Sequence, residues 1–205
     1  MASLVLVRHG QSQWNEKNIF TGWEDPDLTP RGEGEAIAAG LALKELGYQF
    51  DLMFTSILLR AKKTGELILK QLEQASLDKV EDKALNERDY GDLTGLNKDD
   101  ARQKWGETQV HRWRRSFAIP PPGGESLKNT AERVLLYFSI TILPFLKKNR
   151  EIIVVAHGNS LRALVMQLDQ LSPEEVVKLE IPTGVPICYQ IDNQGKVMEK
   201  LLIDI

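Results

Sequence analysis

Two apolar runs constrain this chain most, because both end in the same pair of residues. Leu4-Val5-Leu6-Val7 leads into Arg8-His9-Gly10, and Ile152-Ile153-Val154-Val155-Ala156 leads into His157-Gly158-Asn159. Short unbroken runs of Leu, Ile and Val read as strands buried on both faces, which is the habit of a parallel sheet covered on both sides. If the two strands are parallel neighbours, both imidazoles emerge at one edge of the sheet. A single histidine in such a place is easily a turn residue. Two in matching strand-His-Gly contexts point to a shared site.

The sequence between the runs alternates helix and strand. Thr29-Pro30 reads as an N-cap with Pro at the first helical position, and Ala36, Ala39, Leu43 and Leu46 follow at helical spacing up to Gly47. Asp51 to Thr55 reads as a strand, after which Ser56 is expected to cap a helix with Ala61, Gly65, Ile68 and Leu72 on one face. Lys79 to Leu85 suits a short edge strand, and residues 97–117 suit one or two short helices broken at Gly106. Beyond the Pro120-Pro121-Pro122-Gly123-Gly124 loop, Ser126 opens a long helix. Its expected inward positions are Leu127, Ala131, Val134, Phe138 and Phe145, and Pro144 should kink or end it. Leu161, Leu164, Val165 and Leu168 mark another helix, Ser172-Pro173-Glu174-Glu175 is a capping box, and two last strands flank Asn193-Gln194-Gly195. The pattern predicts an α/β fold, a three-layer sandwich with a mostly parallel central sheet and helices on both faces. One domain over 1–205 is expected. In such folds ligands bind beyond the carboxyl ends of the strands.

Composition narrows the partners. The formal net charge is only -3, so nothing global draws the chain to nucleic acid or to an anionic membrane. No apolar run is long enough to span a bilayer, and the amino-terminal stretch lacks the order of charge and apolar core that a signal peptide has. Cys188 is the single cysteine. No internal disulfide can form, and a reducing, cytoplasmic setting is expected.

An anion site must therefore be assembled locally. Arg8 precedes His9, and Arg60 falls in the first turn of the helix after the second strand, where free N–H groups already favour anions. Two arginines and two histidines at one sheet edge suit a phosphate. A metal site would require carboxylate or thiolate neighbours, and the local sequence offers Arg and Asn, so no metal is expected. Glu87, in Leu85-Asn86-Glu87-Arg88-Asp89-Tyr90-Gly91, is the candidate to move a proton during transfer to a hydroxyl.

Leu-Val-Arg-His-Gly at 6–10, with Ala156-His157-Gly158, resembles the histidine phosphatase superfamily. More specifically, the chain resembles the cofactor-dependent phosphoglycerate mutases. The resemblance runs through Arg8 to Asn15, Phe20-Thr21-Gly22-Trp23, Leu85 to Gly91, Gly95-Leu96-Asn97-Lys98, Trp113-Arg114-Arg115, Ala156 to Arg162 and Ile181 to Pro186. Longer family members carry more residues between the Trp-Arg-Arg helix and the helix near Ser126, where this chain has its proline loop. The resemblance implies that His9 is the phosphorylated nucleophile, that Arg8, Arg60 and His157 hold the phosphoryl group in transfer with Ser12 and Asn15 nearby, and that Glu87 is the general acid/base. It implies that Thr21, Gly22, Tyr90, Lys98, Arg114, Arg115, Gly158 and Asn159 hold the rest of the substrate. The implied reaction interconverts 2- and 3-phosphoglycerate, with 2,3-bisphosphoglycerate as primer and intermediate, a small molecule as partner, and homo-oligomer formation left open. Such an intermediate carries roughly five negative charges when fully ionised. Arg8, Arg60, Lys98, Arg114 and Arg115 match them, more than a histidine-dependent phosphatase acting on another small ester, the alternative reading, would need.

Overall fold

The computed structural model describes residues 1–203. In chain order its elements are β1 (Ala2–Arg8), α1 (Gln13–Glu16), α2 (Pro30–Glu45), β2 (Leu52–Thr55), α3 (Leu59–Gln71), β3 (Lys79–Glu81), α4 (Lys98–Trp105), α5 (Glu107–Arg115), α6 (Leu127–Tyr137), α7 (Leu143–Leu146), β4 (Ile152–Ala156), α8 (Gly158–Asp169), α9 (Pro173–Val176), β5 (Pro186–Ile191) and β6 (Val197–Leu202). The strands form one sheet in the order β3-β2-β4-β1-β5-β6. The β3-β2-β4-β1 part is parallel, and β5 and β6 complete it as an antiparallel edge.

Alternating side chains of the central strands feed two cores. Leu4, Leu6, Ile152, Val154 and Ala156 pack with α6 and α8 residues such as Val134, Leu161 and Leu164. Val5, Val7, Met53, Ile153 and Val155 pack on the other face with α2 and α3 residues such as Ala39, Leu43 and Ile68. This is the expected three-layer α/β sandwich. A third, smaller cluster of Phe20, Leu93, Ala101, Val110 and Trp113 ties α4 and α5 together beside the strand ends.

Several local expectations need correction. Ser56 does not cap α3. Leu58 is the N-cap residue and makes no side-chain cap, because the Ser56 hydroxyl is turned instead to His157 Nε2, at 2.7 Å. Leu46, placed on the inward face of α2, follows its last turn and is exposed. Only Lys79–Glu81 of the expected edge strand is extended, and Lys83–Leu85 tightens into a 3₁₀ turn. The helix from Ser126 widens to a π turn over Phe138–Ile142 before α7. Pro144 has no N–H for a regular ladder, and a widened turn is one way a chain accommodates it. Phe145 ends up half-exposed at the margin of the core, its ring 5.9 Å from that of Phe54.

One close backbone approach fixes the site. A Cβ on Gly10 would lie 2.1 Å from the Gly32 carbonyl oxygen. The loop leaving β1 therefore meets the start of α2 glycine to glycine, and His9 is set against the sheet edge rather than lifted from it.

Candidate active site

β1 and β4 are parallel neighbours with Arg8 opposite Ala156. The His9 N–H extends the ladder by donating to the Ala156 carbonyl at 3.0 Å. As a result the His9 and His157 rings stand side by side at one edge, centroids 4.9 Å apart. Both are buried.

The hydrogen-bond partner of His9 settles how its ring is used. His9 Nδ1 lies 2.7 Å from the Gly10 carbonyl oxygen. A carbonyl can only accept, so Nδ1 carries the proton and Nε2 keeps its lone pair. Arg60 Nε points at that Nε2 from 3.3 Å. The His9 ring thus offers a lone pair at Nε2. The Ser56 hydroxyl accepts from Leu58 N–H and lies 2.7 Å from His157 Nε2, to which it can donate or from which it can accept. His157 Nδ1 is a buried atom without a hydrogen-bond partner among the described residues. Burial, followed by the Arg60 charge, holds both imidazoles well below the usual histidine range, so both are neutral at neutral pH.

The Arg60 guanidinium is buried and aimed by backbone. It donates to the Glu24 and Gly22 carbonyls at 2.8 and 2.9 Å. Gly22 itself has φ +54°, a conformation that glycine supplies without strain. Burial lowers the Arg60 pKa to about 10, and it remains a cation. Arg8 donates to the Ile181 carbonyl at 2.7 Å, while its Nε is buried without a partner among the described residues. Glu87 sits at the amino terminus of α8. Its Oε1 accepts from Arg88 N–H, Asn159 N–H and Asn159 Nδ2 at 2.7, 3.1 and 2.9 Å.

The cleft has two adjoining lobes. An inner lobe of about 70 Å³ is lined by Arg8, His9, Asn15, Thr21, Arg60, Glu87, Tyr90 and Lys98, with Ile19 and Phe20. An outer lobe of about 120 Å³ shares Arg8, Glu87, Tyr90 and Lys98 and adds Arg114, Arg115, Gly158, Asn159, Arg162 and Glu180. Cavities of about 510 and 520 Å³ lie elsewhere, but neither gathers histidines with arginines. Charge and chemistry rather than size mark the site. Among the described residues no group of three or more His, Cys, Asp and Glu is placed to hold a metal ion, and no helix is long and apolar enough to cross a membrane.

Twelve of the residues expected from the sequence line this cleft. Three do not. His157 stands behind His9. Ser12 is fully buried and spends its hydroxyl on Asn15 N–H, in a capping box that turns Asn15 toward the lobe. Gly22 contributes its carbonyl to Arg60. Arg162 and Glu180 were missed as site residues. Arg162 follows Asn159 by three positions on α8, a spacing that shares a helix face. Glu180 holds Arg115 Nη2 at 2.6 Å and Arg162 Nη2 at 3.4 Å.

The histidine phosphatase superfamily (branch 1) matches residues 4–204, and the chain belongs to that family. A 2,3-bisphosphoglycerate-dependent phosphoglycerate mutase of Parvibaculum lavamentivorans is 60% identical over 200 residues, covering 98% of this chain and 95% of that one. The enzyme of the same description from Rhizobium meliloti is 57% identical over 198 residues, covering 97% and 94%. Among solved structures, an α-ribazole phosphatase from Shigella flexneri superposes with a TM-score of 0.84 at 25% identity, covering 98% of this chain and 96% of that one.

Proposed function

We propose that this chain interconverts 2- and 3-phosphoglycerate through a phosphohistidine on His9, primed by 2,3-bisphosphoglycerate. The observation that carries the reading is the second lobe. Beyond the phosphoryl site the cleft continues into Lys98, Arg114 and Arg115, which suits a substrate with a second anionic group. The relatives of 57–60% identity bear the name of this activity.

The chemistry follows from the side chains. His9 Nε2 attacks the phosphorus of 2,3-bisphosphoglycerate, forming the N–P bond as the C–O–P bond breaks. Glu87, as the general acid, delivers a proton to the departing oxygen. Arg8 and Arg60, which line the inner lobe beside His9, stabilise a loose transition state as fixed donors, with His157 supporting the phosphoryl site from behind His9. In the reverse step the monophosphoglycerate hydroxyl attacks the phosphohistidine and Glu87 takes its proton. The bisphosphoglycerate so formed turns over in the cleft and returns its other phosphate. Lys98, Arg114 and Arg115 hold whichever anionic group is not reacting.

The test is conversion of 3-phosphoglycerate coupled to enolase, with and without 2,3-bisphosphoglycerate. Conversion that requires the primer to start is the expected result. Release of inorganic phosphate without isomer formation would instead assign the chain to the phosphatases.

A further inference from the structure

Resting on the reading that Glu87 moves the proton, one question remains about its carboxylate: which oxygen works, and what decides it. Oε1 accepts three N–H groups, from Arg88 N, Asn159 N and Asn159 Nδ2. Among the described residues Oε2 accepts none. It faces the cleft beside Gly158, where a Cβ would lie 3.7 Å from it. The two oxygens are therefore unequal, one bound and one free.

Two of these donors are backbone N–H groups; the third depends on the orientation of the Asn159 amide. That group has an acceptor end and a donor end, and turning it by half a revolution exchanges them. Arg162 removes the choice. Its Nη1 donates to Asn159 Oδ1 at 3.1 Å. A guanidinium has no acceptor, so only the amide oxygen can face it. The amide NH₂ is then left for Glu87 Oε1 at 2.9 Å and Tyr90 Oη at 3.3 Å. The reversed amide would set an oxygen against a carboxylate and an NH₂ against a cation. Arg162 is itself pinned at both ends of its fork, with Nε donating to the Leu179 carbonyl at 2.7 Å and Nη2 beside Glu180. Its side chain is only 12% exposed.

We propose that Arg162 is a positioning residue for proton transfer: by orienting Asn159 it completes the anchoring of Glu87 Oε1 that two backbone N–H groups begin, and so leaves Oε2 as the one that exchanges protons. Its effect belongs to the transfer step rather than to substrate binding. A proton-transfer group must be held within hydrogen-bond reach of the reacting oxygen, and a displacement of about 1 Å can cost about 100-fold.

The experiment measures kcat and KM for 3-phosphoglycerate in the primed enzyme for Arg162→Met, Arg162→Lys, Asn159→Ala, Glu87→Gln and Arg162→Met combined with Glu87→Gln. Arg162→Met should lower kcat about 10- to 100-fold and leave KM within about threefold. Asn159→Ala should lower kcat by a similar factor. Added to Glu87→Gln, Arg162→Met should cost little more, because the group it positions no longer transfers protons. Arg162→Lys keeps the charge but lacks the fork, and its kcat should stay low; it carries the test if the Met variant fails to fold. A raised KM with kcat retained would make Arg162 a substrate ligand and overturn the proposal. So would full activity in Arg162→Lys, or losses that multiply in the double variant. A parent enzyme that forms no isomer, or a Glu87→Gln variant with unchanged kcat, would instead strike the function or the Glu87 role on which the proposal rests.

Discussion

The two lobes of the cleft are built in different ways. The inner one is held by backbone: β1 and β4 in register, the Gly10 carbonyl on His9, and the Gly22 and Glu24 carbonyls on Arg60. His9, Thr21, Arg60 and Glu87 are buried there, and Arg8, Asn15, Tyr90 and Lys98 partly so. The outer one is held by side chains on the short helices α4 and α5 and on the entrance to β5. Arg115, for instance, is steadied by the exposed carboxylate of Glu180. On the proposed reading, the inner lobe serves a transition state that every phosphoryl transfer shares, and the outer lobe serves the part of a substrate that differs from one phosphate ester to another. Changes inside should therefore depress all phosphoryl chemistry, and changes outside should alter substrate choice.

The largest effect expected from this contrast is at Arg60. Removing one preorganised donor from a buried transition-state site costs about 100- to 1,000-fold. Arg60→Ala should lose about that much in kcat, both for phosphoglycerate and for slow hydrolysis of p-nitrophenyl phosphate. If only phosphoglycerate turnover falls, the division between the lobes is wrong.

Arg115 sharpens the comparison from the other side. A charge-assisted hydrogen bond contributes about 1.5–3 kcal/mol, so Arg115→Ala should lose about 10- to 150-fold in phosphoglycerate kcat/KM. Hydrolysis of p-nitrophenyl phosphate should change little. Parallel loss of both activities would assign Arg115 to the fold or to the inner site.

Lys98 lines both lobes and should show the smallest effect. Burial, then the Arg114 and Arg8 charges, lower its pKa to about 8. The ammonium form binds the anion, so raising the pH through about 8 removes a cation from the free enzyme. Phosphoglycerate kcat/KM should decline along an alkaline limb centred near that value. Lys98→Arg, which stays charged, should push the limb to higher pH. An identical limb in the variant would assign it to another group.

The inner lobe was also the more legible in the sequence. Two unbroken apolar runs ending in His-Gly placed both imidazoles on one edge, because buried parallel strands leave few alternatives. Arg60 followed from its position at a helix start. What escaped was set by tertiary contacts that spacing does not encode. Ser56 looked like a helix cap, since a serine before a helix usually is one, yet its hydroxyl serves His157. Ser12 was grouped with the pocket because it adjoins Asn15 in the motif, although it caps α1 from behind. Arg162 stood within a recognised segment, and its i+3 relation to Asn159 was the available signal. Glu180 had none, since only the fold brings the residue before Ile181 against Arg115. The π turn after α6 was equally hidden, because Pro144 signals a break without saying how the backbone absorbs it.

The measurement that bears most directly on the central claim is transfer of phosphate to and from His9. The chain is incubated with 2,3-bisphosphoglycerate labelled in its phosphates, denatured and mapped. The account expects about one acid-labile phosphate per chain, located on His9, absent from His9→Ala, and discharged by 3-phosphoglycerate at a rate no slower than turnover. Isomer formation without a phosphoenzyme, or label that persists in His9→Ala, would contradict it.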